Sequence, residues 1–77
     1  MSSNGRVRFV ICVDSEGYDV SLDVGRVYQA LPTEKIAREH GQIRVVDNEG
    51  EDYLYSAERF VEIKLPRAAQ QAVLRSR

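Results

Sequence analysis

The sequence predicts a single mainly-β domain, and three observations carry that prediction. Residues 42–55 read as two short strands around a tight turn, and residues 7–13 form an apolar run of strand length. The chain of 77 residues, 43% apolar and 30% charged, has the balance of a folded domain. At this length a chain buries only roughly 60% of the surface its unfolded form exposes, so one modest core is expected and a deep catalytic cleft is not.

In chain order, Phe9, Ile11 and Val13 of the first run fall on one face and Val10 and Cys12 on the other. Its far half is thus apolar on both sides, as in a strand wrapped inside a small barrel. Asp14-Ser15-Glu16-Gly17 supplies turn chemistry, and Tyr18, Val20, Leu22 and Val24 alternate weakly through a long, acidic, partly strand-like loop. A second strand over 26–31 is stopped by Pro32, which cannot donate to a ladder. Thr33 is placed to cap a short helix near 34–40, with Arg38 and His40 near its end and Gly41 as its left-handed stop.

The hairpin follows. In Asp47-Asn48-Glu49-Gly50 a type I turn with Gly50 at positive φ makes a bulged connection and sets the register. A tight segment, 56–59, then leads to a last strand over 60–65. Pro66 breaks that strand, and 67–75 is a run of helix formers with Ala69, Ala72 and Val73 on one side. The division is therefore a five-stranded small barrel over 6–65 and a helical tail over 66–77.

Charge and composition narrow the function classes. A formal net charge of -1 gives no global attraction to nucleic acid or anionic lipid. The amino-terminal residues lack the basic and apolar regions of a secretory signal, and no stretch reaches the ~20 apolar residues of a membrane span. With Cys12 as the single cysteine, no intrachain disulfide forms, so a reducing, cytoplasmic setting is expected. Cys12 lies in the most apolar strand and reads as an inert small hydrophobe. His40 reads as an exposed helix end. Asp47, Glu49, Glu51, Asp52 and Glu58 imitate a calcium loop, but the sixth position, which needs glycine, is Asp52. No metal and no cofactor are expected, and no nucleophile, base and orienting group assemble into a catalytic set.

The order of parts, from Phe9 to about Leu65, resembles an SH3-like barrel. Leu22, Gly25 and Arg26 stand where SH3 domains open their second strand with Leu and Gly-Asp, and Ile43 to Val61 is similar to the SH3 hairpin and its exit. The resemblance implies the fold without polyproline specificity. The chain has no tryptophan, Ser56 stands where the proline would be, and Phe60 lies near the place of the tyrosine. Aromatic walls are what a proline helix packs against.

The expected function is a non-catalytic protein-interaction module for a basic segment of a partner, acting as a monomer or weak homodimer without a membrane role. Its contact face is assigned to Tyr18, Tyr53 and Tyr55 with the acidic residues Asp19, Asp23, Glu49 and Glu51. Alternation places Tyr53 and Tyr55 opposite Leu54; with Leu54 inward, both tyrosines are expected to be exposed together. The competing reading is a nucleic-acid-associated barrel using Arg6, Arg8, Arg44 and the arginines of the tail, Arg67, Arg75 and Arg77. The negative balance opposes it.

Overall fold

The computed structural model describes residues 8–75. Strands lie at Arg8–Cys12 (β1), Val27–Leu31 (β2), Gln42–Val46 (β3), Asp52–Ser56 (β4) and Phe60–Ile63 (β5); helices lie at Lys35–Glu39 (α1) and Arg67–Arg75 (α2), and a 3-10 turn at Ala57–Arg59 precedes β5. The strands form one antiparallel sheet in the order β4-β3-β2-β1-β5. The mainly-β expectation holds, with both helices in place.

Register decides which residues share a face. Val10 pairs with Tyr28, Cys12 with Phe60, Ala30 with Val45 and Ile43 with Tyr55. These side chains point to one side, where Val10, Cys12, Tyr28, Ala30, Val45, Tyr55 and Phe60 make the core. The long β1–β2 connection adds Leu22 to it. The sheet curls until the Tyr55 ring of β4 lies 6.0 Å from that of Phe60 in β5. It does not close into a barrel, because no ladder joins β4 to β5. The link between those two strands is the 3-10 turn Ala57–Arg59, after which β5 pairs with β1.

The first strand ends one residue early. Val13 donates its N–H to Arg59 C=O (2.7 Å) and its side chain is exposed. On the outer face Phe9 is nevertheless buried; α2 lies against this side of β2, with Val73 beside Val27, Gln29 and Val46 and Gln70 lining a hollow with Phe9. The half-buried residues of α2 are Ala69, Gln70, Val73 and Leu74, while Ala72 is exposed. The apolar side of the tail is therefore rotated from the expected Ala69, Ala72, Val73 stripe. Gln70 Nε2 donates to Leu65 C=O (2.9 Å) and ties the helix to the chain that leads into it. Among the described residues no helix is long and apolar enough to cross a membrane.

Thr33 does not cap α1. The N-cap is Glu34, with no side-chain cap bond. Thr33 Oγ1 instead donates to Leu31 C=O (3.2 Å) and accepts from Arg44 N–H (3.1 Å), joining β2 to β3. A ladder partner outcompetes the helix end for that hydroxyl. Gly41 ends α1 with φ at 72°, as expected of a left-handed stop.

The hairpin turn has the bulged form. Gly50 N–H donates to Asp47 C=O (3.0 Å), Asp47 N–H donates to Glu51 C=O (2.9 Å), and Gly50 has φ at 80°. A Cβ at Gly50 would meet nothing within 4 Å, so a substitution there probes backbone strain alone. Gly50→Ala is expected to lower unfolding stability by about 1–2 kcal/mol, with an unchanged denaturant slope. A stability equal to wild type in urea titration would contradict a left-handed requirement at Gly50.

Candidate functional site: a tyrosine groove beside the hairpin

The site is built from the turn outward. Asp47 is only 3% exposed although it is an acid at a hairpin tip. Its Oδ1 accepts the N–H groups of Glu49 (2.9 Å) and Glu51 (3.2 Å), and its Oδ2 accepts the Tyr55 hydroxyl (3.1 Å). Three donors offset the cost of taking a carboxylate out of water. Asp47 is therefore a buried structural acid of the turn and not a free surface charge. For Tyr55 the consequence is a phenol pushed up to about 12, first by burial and then by the hydrogen bond it gives to Asp47.

Asn48 performs the second linkage. Its backbone N–H donates to Ser21 C=O (2.9 Å), and its Nδ2 donates to Val20 C=O (3.3 Å) and Asp23 Oδ2 (3.1 Å). Its Oδ1 accepts the Tyr28 hydroxyl (2.8 Å), which in turn accepts Asp23 N–H (2.7 Å). Both ends of the amide meet complementary partners, which fixes its orientation. Burial, the largest cause, raises the Tyr28 phenol. The acidic β1–β2 loop is thus lashed to the hairpin tip, and Leu22 is carried into the core.

That docking positions Tyr18. Its ring meets Tyr55 edge-on (centroids 5.1 Å apart, planes at 87°), and the Arg59 guanidinium lies 4.7 Å from the Tyr18 centroid. Arg59 is itself held by Asp14, through Oδ1 at 3.6 Å and the backbone carbonyl at 3.2 Å. Tyr18 remains 45% exposed. Tyr18 and Ser21 from the loop, Glu49 from the turn and Tyr53, Leu54 and Tyr55 from β4 then line an open groove of about 350 Å³. Tyr53 is 49% exposed and its hydroxyl donates to Glu51 Oε1 (2.7 Å), a bond that raises the Tyr53 phenol.

The structure gathers Tyr18, Tyr53, Tyr55 and Glu49 around one groove and sets Glu51 at its edge through Tyr53. Asp19 is exposed next to Tyr18 and accepts Ser15 Oγ (3.2 Å). Asp23 is engaged elsewhere, by Asn48 and by Arg26 at 3.7 Å. The expected orientation of β4 is reversed. Tyr55, at 4% exposure, is core, whereas Leu54 pairs with Arg44 on the outer face and is half-buried. Tyr53 and Tyr55 pair with Val45 and Ile43, so they share the inner face, and Tyr53 is exposed only because it lies toward the rim. Burying a tyrosine ring with its hydroxyl satisfied by Asp47 outweighs burying Leu54. Ser21, Asn48 and Arg59 are contributors that sequence reasoning does not reach, since their partners lie far along the chain.

Among the described residues no group of three or more His, Cys, Asp or Glu side chains is arranged to hold a metal ion. Of the arginines of the nucleic-acid reading, Arg8 and Arg44 are engaged in ion pairs, whereas Arg67 and Arg75 are exposed on α2 with no ion pair among the described residues. Arg8 pairs with Glu62 (2.9 Å), and Arg44 with Glu34 (2.9 Å) and Asp52 (3.1 Å). Arg6 and Arg77 lie outside the described residues. No family model matches the chain, and no curated protein or solved structure matches it either.

Removal of one hydroxyl tests the buried linkage. Tyr55→Phe leaves Asp47 with one donor fewer in a dry site, and a loss of about 1–3 kcal/mol is expected. A phenol with a higher pKa folded than unfolded contributes stability that is complete below the unfolded value of 10.0 and is lost as pH rises through about 12. Urea titrations from about pH 8 to pH 11 should therefore show wild-type stability falling at the alkaline end, with a shallower fall in Tyr55→Phe. Equal alkaline slopes would contradict the linkage.

Proposed function

We propose that the chain is a non-catalytic protein-interaction module with an SH3-like order of strands in an open sheet, and that the groove between Tyr18 and Tyr53 is its contact face for a basic segment of a partner. The strand order, the long β1–β2 loop and the 3-10 turn before the last strand support the SH3-like reading. The observation that carries the functional reading is the groove itself. Its volume of about 350 Å³ lies within the range of small binding clefts, about 300–1,000 Å³. Its tyrosines are of the type enriched at binding hot spots.

Charge sets the sign of the partner. The Glu49 carboxylate has no ion pair among the described residues, and Glu51 gives one oxygen to Tyr53. Uncommitted carboxylates beside exposed rings favour a cation, both by charge and by attraction to the ring faces. Arg8 and Arg44, which a nucleic-acid role would need, already have carboxylate partners. That favours a protein partner over phosphate.

Tyr53→Ala removes the exposed wall without entering the core, so it should keep the wild-type circular dichroism spectrum and thermal midpoint within a few degrees. In affinity capture from native extract it should lose the partners that wild type retains at low salt. A folded Tyr53→Ala that keeps every partner would place the contact face elsewhere.

A further inference from the structure

The groove has a backbone wall as well as aromatic ones. Strand β4 ends the sheet on one side and pairs only with β3. The Asp47 N–H to Glu51 C=O bond (2.9 Å) makes residues 47 and 51 a hydrogen-bonded pair, and the Ala57 N–H to Gly41 C=O bond (2.8 Å) fixes the same phase at the far end. Antiparallel ladders alternate between bonded and non-bonded pairs. Tyr53 and Tyr55 therefore direct their N–H and C=O groups at Val45 and Ile43, while those of Asp52, Leu54 and Ser56 face away from β3. Leu54 lies between the two groove tyrosines, and all three consecutive residues line the groove. Successive side chains of a strand point to opposite faces, so lining by all three marks the strand edge itself as the wall.

A free edge of this kind is a template for another strand, and natural sheets shorten or charge it to prevent indiscriminate pairing. Strand β4 is five residues long and begins with Asp52. The groove beside it selects among strands that could pair with it. A segment paired to the edge would set every second side chain on the same side as Tyr53 and Tyr55. There it meets the half-exposed Tyr53 ring and Glu49. A planar guanidinium answers both, stacking on an aromatic face and pairing with a carboxylate. The chain already uses this combination internally, with Arg59 over Tyr18 and Asp14 beside it.

We infer that, within the interaction role proposed above and resting on it, the ligand is an extended arginine-bearing segment that adds to the free edge of β4. It exchanges main-chain hydrogen bonds with Leu54 and sets one guanidinium on Tyr53 against Glu49. Affinity then comes from the backbone and selectivity from the side chain, as in strand-addition recognition generally.

The test uses the full chain, isotope-labelled for NMR, and two capped hexapeptides. One is acetyl-Thr-Val-Arg-Val-Arg-Thr-amide; the other is the same peptide N-methylated at its four central residues, which keeps the charge and removes strand pairing. The unmethylated peptide should shift Tyr18 and Tyr53 and slow exchange of the Leu54 amide by about tenfold or more, and the methylated one should bind at least about tenfold more weakly, roughly one lost hydrogen bond. Equal binding of the two peptides, or shifts at Tyr53 with unchanged Leu54 exchange, would overturn strand addition and leave the interaction role standing. If neither peptide binds while Tyr53→Ala still loses captured partners, strand addition is likewise overturned; if Tyr53→Ala also loses none, both readings fall.

Discussion

Two adjacent residues of one turn, Asp47 and Asn48, join parts of the chain that the sheet alone would leave apart. The carboxylate of Asp47 gathers the turn amides and the Tyr55 hydroxyl, while Asn48 holds Ser21 through its backbone N–H and Val20, Asp23 and Tyr28 through its side-chain amide. Without the first, the buried hydroxyl of the inward Tyr55 would lose the acceptor that makes its burial tolerable. Without the second, the β1–β2 loop would lose its hydrogen bonds to the hairpin tip, leaving Leu22 and the contacts of Tyr18 with Tyr55 and Arg59 to position it. The groove is a consequence of that attachment.

A core this small leaves little apolar surface to set the position of a long loop. The chain solves the problem with polar groups whose partners are complete. Tyr28 and Tyr55 bury their rings among Val10, Cys12, Val45 and Phe60 and carry their hydroxyls to the hairpin tip, so each joins the apolar core to the polar clamp. Partial satisfaction of such a network would be worse than none, because each orphaned group costs its full desolvation. Leu22, delivered by the loop, is among the most fully buried side chains. The loop belongs to the core as much as the strands do.

What the sequence made legible is local. The bulged turn follows from four consecutive residues and the positive φ that Gly50 accepts, and the stop at Gly41 from the same chemistry. Both are present. Where the sequence reading turned on a distant partner it went astray. Alternation says that Tyr53 and Tyr55 share a face but not which face is inside; Val45 and Ile43 across the ladder decide that. Thr33 looks like a cap until Arg44 N–H, eleven residues on, competes for its hydroxyl. Asp47 looks like surface charge, because carboxylates are rarely buried and the hydroxyl that makes burial tolerable comes from eight residues away. The groove was half legible for the same reason: Tyr18 and Tyr53 stand out by type, whereas Ser21 and Arg59 enter only through the docked loop.

The most direct measurement of this account is a double-mutant cycle between Tyr28→Phe and Asn48→Ala, read by urea denaturation with the exchange rates of the β1–β2 loop amides followed in parallel. A hydroxyl and an amide that clamp loop to hairpin should show a coupling of about 1 kcal/mol, within the span of about 0.5–3 kcal/mol found for residues in contact, and each single variant should speed exchange in residues 18–24. Additive losses, with coupling under about 0.3 kcal/mol and loop exchange unchanged, would contradict the claim that this turn holds the loop and the groove in place.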